Sequence, residues 1–321
     1  IAIWLMRIAS WRVPESVNET ETGMSGAIST NPDFEIRNTV LTEYADDILI
    51  LGTGLAGLIT AQSLAHAGLR VTLIGPEFRN SDRPADGRTT ALMLGSVSWL
   101  EEIGLWAACR KFAEPLRTLR IIDDTDYLIR APELTFRATE IDQESFGYNV
   151  ANALLVEACG QRIEASPLIR VVTTAAVTKI RPSDTDKDEG VRLITREGDA
   201  INGRLLIGAD GRRSLSRQVA GIETRSWRYD QTALVCNFQH TREHDNISTE
   251  FHRPAGPLTT VPLPGQTSSL VWVEKPQKAA ELMDRTDPEF ICELEERLHG
   301  LLGSIVHVGP RATFPLAGMH A

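Results

Sequence analysis

The chain has 321 residues, 42% of them hydrophobic and 24% charged, with a formal net charge of −10. That length can bury a sizeable core in two domains or one large one, and the composition is that of a globular protein rather than a disordered or fibrous one. The acidic balance, with no basic run, argues against a general nucleic-acid surface, and no apolar stretch approaches the ~20 residues that span a bilayer.

Residues 1–45 are rich in Ser, Thr, Asn and Glu without periodicity, and are expected to be a disordered leader in which Met24 is the natural start. Asp47–Leu51 reads as a buried parallel strand, Leu55–Ala67 as a helix ended by Gly68, and Leu69–Ile74 as a second strand. Together they predict a βαβ unit. After a polar loop from Pro76 to Gly87, Ala91–Ile103 reads as an amphipathic helix. Leu119–Ile122 and Tyr127–Arg130 read as strands around a turn at Asp123-Asp124, and Asn149–Ala165 as a further helix. Arg170–Thr173, Ala176–Ile180 and Val191–Thr195 alternate like a small antiparallel sheet, with a hairpin at Asp184–Gly190. Arg204–Ile207 returns as a buried strand. Beyond it, Ala233–Phe238, Ser248–His252, Leu258–Leu263 and Ser269–Glu274 are short strands between Pro- and Gly-rich turns, and Asp287-Pro288 opens a helix to Leu302.

Chemistry concentrates in two glycine-flanked turns. The first strand runs into Gly52-Thr53-Gly54-Leu55-Ala56-Gly57, a Gly-x-Gly-x-x-Gly at a helix start. Gly52 permits the tight turn, Gly54 lets backbone approach a pyrophosphate, and Gly57 lets helix pack on strand, so this segment predicts dinucleotide binding. The second strand lacks the usual terminal carboxylate for the ribose, and Glu77 stands two residues late, leaving Glu77 or backbone to do that work. The second turn is Gly208-Ala209-Asp210-Gly211, where the Asp210 carboxylate can accept ribose hydroxyls and Gly211 keeps the backbone open. Arg88, placed just ahead of a predicted helix, can reach a diphosphate with two parallel bonds, or else pair with Asp86 at the surface. Asn152, on the helix after Phe146-Gly147-Tyr148, is a candidate ligand contact or a solvated side chain. The four cysteines, Cys109, Cys159, Cys236 and Cys292, are scattered and read as reduced thiols of a cytoplasmic protein. Most of the histidines are expected to face solvent, none shows metal-ligand spacing, and no Ser-His-Asp or Cys-His arrangement is evident.

The chain resembles the flavin-dependent aromatic hydroxylases of the para-hydroxybenzoate hydroxylase type, and among them the ubiquinone-biosynthesis hydroxylases. Four ordered segments carry the resemblance: Gly52 to Gly57; Asp86-Gly87-Arg88-Thr89-Thr90-Ala91-Leu92; Gly208-Ala209-Asp210-Gly211-Arg212-Arg213-Ser214; and Gly256-Pro257-Leu258 to Pro262-Leu263 with Ser269-Leu270-Val271-Trp272. It implies an α/β fold, a Rossmann-like FAD-binding domain with an inserted antiparallel β-sheet substrate domain. The expected division is 46–120 and 145–225 for FAD, and 121–144 and 226–321 for the substrate sheet. The implied activity is an FAD-dependent monooxygenase using NAD(P)H and O₂ to hydroxylate a polyprenylated phenol, and so greasy a substrate implies contact with a membrane surface or a biosynthetic assembly. Gly52, Gly54, Leu55, Ala56, Gly57, Glu77, Arg88, Asn152, Asp210 and Gly211 are the expected cofactor contacts. Phe238, Phe251, Val261 and Trp272 are expected around the substrate pocket. The family's third motif, Gly-Asp-Ala-Ala-His after a Pro-Leu segment like Phe314-Pro315-Leu316, is not reached before Ala321, so the sequence reads as the N-terminal part of a longer enzyme. Another FAD oxidoreductase on this scaffold, such as an isoprenoid reductase, and an inactive FAD-binding fragment remain as alternatives.

Overall fold

The computed structural model describes residues 46–79, 87–182 and 190–321. The expected leader, Asp86 and most of the Asp184–Gly190 hairpin lie outside the described residues. In chain order the strands are β1 (Asp46–Leu51), β2 (Val71–Gly75), β3 (Thr89–Met93), β4 (Glu114–Pro115), β5 (Thr118–Asp123), β6 (Leu134–Arg137), β7 (Gly147–Ala151), β8 (Ile169–Thr173) and β9 (Val177–Pro182). They continue with β10 (Val191–Thr195), β11 (Ala200–Gly208), β12 (Arg225–His240), β13 (Ile247–His252), β14 (Leu258–Leu263), β15 (Thr267–Glu274), β16 (Ile305–Val308) and β17 (Ala312–His320).

The first sheet has the order β8-β2-β1-β11-β10-β9, parallel across its first four strands and antiparallel at β10 and β9. β1 is apolar at every position from Ile48 to Leu51 because both of its faces are covered. Ile48 and Ile50 join Leu58, Val71, Leu73 and Leu155 on one side. Leu49 and Leu51 join Ile74, Leu193 and Ile201 on the other. Each such side chain contributes ~1.5–3 kcal/mol on leaving water, so the centre of the sheet is its most firmly held part. The helix Leu55–His66 follows β1 and the helix Asn152–Glu164 packs beside it, leading the chain to β8.

The second sheet has the order β16-β12-β15-β14-β13-β5-β6, with β17 paired to the first part of β12. The helices Pro276–Asp284 and Asp287–Arg297 cover one face. Leu234, Cys236, Phe238, Phe251 and Trp272 are buried there against Leu282, Phe290 and Leu294. A small sheet, β3-β7-β4, bridges the two larger ones. Its Asn149 donates from Nδ2 to the carbonyl of Pro262 at 2.9 Å, and Thr89 Oγ1 lies 3.4 Å from Ser269 Oγ. The chain is thus a Rossmann-like domain joined to a largely antiparallel sheet.

Three sequence expectations are corrected. Ala91–Ile103 is not one helix: Thr89–Met93 pairs with β7 as β3, and the helix runs only over Leu94–Glu102. The β-branched pair Thr89-Thr90 suits a strand, and tertiary pairing overrides the helical period that follows. Tyr127–Arg130 is not a strand either. The Asp123 carboxylate accepts from Thr125 N (3.1 Å), Thr125 Oγ1 (2.7 Å) and Ala131 N (2.7 Å), holding this segment off the ladder as a loop before β6. Finally, β8 does not join β9 and β10. It pairs in parallel with β2, because the helix Asn152–Glu164 returns the chain to the far edge of the first sheet.

Candidate functional site

The site grows from the C-terminal ends of β1 and β11. These neighbours run parallel with Leu51 opposite Gly208, so both glycine-flanked turns leave the same edge side by side. The Ala209 N–H donates to the Leu51 carbonyl at 2.8 Å, and the Gly52 N–H donates to the Ile74 carbonyl at 2.8 Å. Gly52 has φ of +121°, and a Cβ there would overlap the Ala209 carbonyl. A Cβ on Gly57 would overlap the Gly52 carbonyl instead. The two motifs are therefore in van der Waals contact, and glycine at 52 and 57 is what lets turn, helix and second motif close on one another.

Gly54 differs. It is the N-cap of the helix Leu55–His66 with φ of −77°, nothing lies within 4 Å of the place its Cβ would take, and no side chain caps this helix. The first-turn N–H groups at Leu55, Ala56 and Gly57 thus face an open approach carrying the positive end of the helix dipole, which suits a diphosphate. Leu55 is half-buried against the core and Ala56 is exposed. Glu77 stands exposed on this edge just past β2, beside the Thr53 Oγ1 bond to the Pro76 carbonyl (2.7 Å).

Asp210 is drawn into its own turn. Oδ1 accepts from Ser214 Oγ (2.6 Å) and Ser216 Oγ (2.7 Å), and Oδ2 from Ser216 N (3.0 Å). Ser214 in turn caps the helix Leu215–Val219 through Arg217 N. Burial pushes the Asp210 pKa up, but the Ser214 hydroxyl, the Ser216 N–H and the Ser216 hydroxyl outweigh it, so the carboxyl titrates below its ordinary range. A carboxylate has about four acceptor positions, so three are used by the turn and one, at Oδ2, is left for a further donor. Gly211 follows at φ of +78° with open space around it. A cavity of about 580 Å³ beside this turn is lined by Ile180, Leu206, Gly208, Asp210 and Ser216, but by none of Gly52–Gly57, so it is not the crevice of the first motif.

Arg88 precedes a strand rather than a helix. Its exposed guanidinium lies over the Phe314 ring, 5.0 Å from the centroid, and its carbonyl accepts from Asn152 N at 3.0 Å. Asn152 begins its helix half-buried, with Oδ1 accepting from Thr90 Oγ1 at 2.6 Å. Arg88, Thr90 and Asn152 thus form one knot. Thr53, Ser214, Ser216 and Phe314 were not legible as site residues. An Asp followed by Ser at the fourth and sixth positions hints at the Asp210 turn, whereas nothing local points to Phe314.

Helix packing decides which face of the second sheet is available. Phe238, Phe251 and Trp272 are spent in the core beneath the helices, so they do not wall a pocket. Alternation puts the neighbouring residues on the opposite face. There the register aligns Ala312, Val235, Val271, Thr259, Glu250 and Ile121 in one row. Asn237, Ser269 and Val261 form the next, and Ser269 is the residue that meets Thr89. Val261 alone of the four expected pocket residues belongs to this face. Thr259 Oγ1 is buried with no hydrogen-bond partner.

Most histidines are exposed, as expected, and two are not. His240 is buried, with Nδ1 2.8 Å from the Arg242 carbonyl and Nε2 2.9 Å from Ser268 Oγ; burial lowers its pKa. His244 lies 5.9 Å from it and points Nε2 at the carbonyls of Leu263 and Gly265. Both rings are engaged in structural bonds. Among the described residues, no three His, Cys, Asp or Glu side chains gather as a metal site.

Residues 45–310 match the family model described as "FAD binding domain". Ubiquinone hydroxylase UbiL of Rhodospirillum rubrum is 36% identical over 272 residues, 84% of this chain and 61% of that protein. The 3-demethoxyubiquinol 3-hydroxylase of Escherichia coli is 29% identical over 286 residues, 88% of this chain and 70% of that one. The chain therefore spans about three-fifths to seven-tenths of these relatives. In fold it is similar to p-nitrophenol 4-monooxygenase PnpA of Pseudomonas putida, with a TM-score of 0.64 and 19% identity over 87% of this chain and 69% of that one.

Proposed function

The chain belongs to the FAD binding domain family of flavin monooxygenases, and on that premise we propose that it is part of an enzyme that hydroxylates a polyprenylated phenol with NAD(P)H and O₂, in ubiquinone biosynthesis. The observation that carries the reading is the contact between Gly52 and Ala209-Asp210, which makes two distant motifs one cradle. FAD, once bound and reduced by NAD(P)H, supplies the activation of oxygen. The chain's own residues bind and orient.

In this reading the N–H groups at the start of the helix Leu55–His66 hold the diphosphate. Glu77 and the remaining acceptor position of Asp210 take ribose hydroxyls, and Gly211 leaves room for that approach. Arg88, its plane set by Phe314, donates to the diphosphate, and Asn152 lies toward the flavin. Residues 46–120 and 145–225 serve the cofactor, and 121–144 and 226–321 the substrate. The row through Val235, Val271 and Thr259 offers an apolar bed with one buried hydroxyl, a fit for a greasy ring bearing a phenolic group. An apolar substrate of this kind resides in membranes, so the enzyme works at a membrane surface.

The test is a flavin spectrum of the purified protein, followed by product analysis after incubation with a prenylphenol, NADH or NADPH, and O₂. A yellow protein yielding a ring-hydroxylated product is expected. Protein that neither retains nor titrates with FAD overturns the reading, and flavin-bound protein that reduces prenyl double bonds replaces it with an isoprenoid reductase.

A further inference from the structure

The loop joining β5 to β6 carries Tyr127, Leu128 and Ile129 at its tip, exposed to 72%, 102% and 88% of their full surface. Three consecutive large apolar side chains held almost wholly in water are costly unless something covers them. Nor is the tip a slack segment. The Asp123 carboxylate bonds Thr125 near one end of the loop and Ala131 at the other, through three hydrogen bonds. Arg120 reaches Glu133 at 3.4 Å across the base. The fold thus fixes a protrusion whose end is apolar.

The apolar surface continues inward. Leu134 and Phe136 on edge strand β6 are exposed, and the register sets them opposite Ile121 and Leu119. Ile121 lies in the row that runs through Glu250 and Thr259 to Val271 and Val235. A mostly apolar strip, interrupted by Glu250 and Thr259, therefore runs from the tip to the sheet face assigned above to substrate.

We propose that the tip Tyr127-Leu128-Ile129 is a lipid anchor that inserts into the interface of a neutral bilayer, with Leu134 and Phe136 forming the ramp from membrane to substrate face. A convex tip with its side chains splayed into water suits the deformable acyl–headgroup boundary better than a second protein, which would need a matching socket. Tyr127 places a ring and a hydroxyl at headgroup depth, and Arg130 beside it can keep its charge in water while its stem lies along the lipid. The charges around the tip, Asp126, Arg130 and Glu133, are acidic on balance, as is the whole chain at −10. Adhesion to anionic headgroups is thus disfavoured, and the contact is apolar and insensitive to salt. This locates the membrane contact proposed above and rests on that reading only for the choice of lipid over protein.

The test is co-sedimentation of the flavin-loaded protein with sucrose-filled phosphatidylcholine vesicles, at low salt and at high salt. The wild type is expected to pellet with the vesicles equally in both. The Leu128→Asp/Ile129→Asp double variant should lose at least about tenfold in partitioning, with its melting temperature and FAD content unchanged. Val306→Asp, at another exposed apolar position, should bind like the wild type. Tyr127→Trp should be quenched by brominated phosphatidylcholine. Failure of the wild type to pellet, binding that disappears at high salt, undiminished binding of the double variant, or a dimer that the double variant dissociates would each overturn the proposal. FAD content and product formation, measured on the same preparations, show whether the enzymatic reading survives such a result.

Discussion

Gly54→Ala should weaken cofactor binding about a hundredfold or more while leaving the fold intact, and Gly52→Ala should damage both. At Gly54 the backbone already has φ of −77°, and a methyl group would meet nothing within 4 Å. Alanine is a poorer N-cap than glycine by ~0.5–1 kcal/mol, while the reduced freedom of the unfolded chain returns ~0.4–1 kcal/mol. The net effect on apo-protein stability is then within about 0.5 kcal/mol. In the proposed reading, however, the open space is where a diphosphate approaches the backbone. A methyl there holds it off the helix N–H groups, and losing two hydrogen bonds to a charged group at ~1.5–3 kcal/mol each weakens FAD binding by two orders of magnitude or more. At Gly52, φ of +121° costs alanine ~1–2 kcal/mol. Relief of the overlap with Ala209 also sacrifices the Ala209–Leu51 hydrogen bond at ~1 kcal/mol, so the apo-protein should lose about 2–3 kcal/mol. Urea denaturation of both apo-variants, beside FAD titrations followed by flavin fluorescence, separates the two quantities. Gly54→Ala protein that retains wild-type FAD affinity would refute the assignment of the diphosphate to this turn, and equal destabilisation by both substitutions would refute the geometry.

Asp210 has a folded pKa below its unfolded value, so its stabilising effect is fully present above about pH 4 and is lost as pH falls through the folded pKa. Asn at this position still accepts the serine hydroxyls through Oδ1, but its Nδ2 cannot accept the Ser216 N–H. Asp210→Asn should therefore be less stable than wild type near neutrality and should lose less on acidification, as urea midpoints measured down to pH 3 would show; parallel pH profiles would contradict this. Phe290→Ala empties a fully buried site between Trp272 and the guanidinium of Arg311, so a loss of ~3–5 kcal/mol is expected. The residue lies beneath the far face of the second sheet, so FAD affinity of the folded fraction should be unchanged; a matching fall in affinity would show that the helix layer supports the cofactor site.

The edge that carries the two glycine-flanked turns was legible because its constraints are steric and local. A strand of continuous apolar residues, three glycines at fixed spacing and a small second turn each announce a backbone that must come close to something. Their mutual contact is not local, yet it follows once both strands lie in one parallel sheet. What escaped was decided by partners far away in sequence. Thr89–Met93 became a strand because β7 offered it a ladder, and β8 went to β2 because a helix carried it there. At Tyr127–Arg130 one carboxylate outcompeted strand pairing. Phe238, Phe251 and Trp272 read as apolar strand positions, but which face of a two-sided sheet meets a helix layer depends on where the helices Pro276–Asp284 and Asp287–Arg297 return, and alternation alone is silent about that.

β1 sits between β2, which follows it almost at once, and β11, which arrives only after most of the Rossmann-like domain has been made. During synthesis the first half of the cradle therefore waits with one flank open, its strand edge bare and the turn at Gly52 unbacked. Closing it requires bringing Ala209 across a long stretch of chain, a slow event by its contact order. The two turns can therefore meet only once β11 has been made.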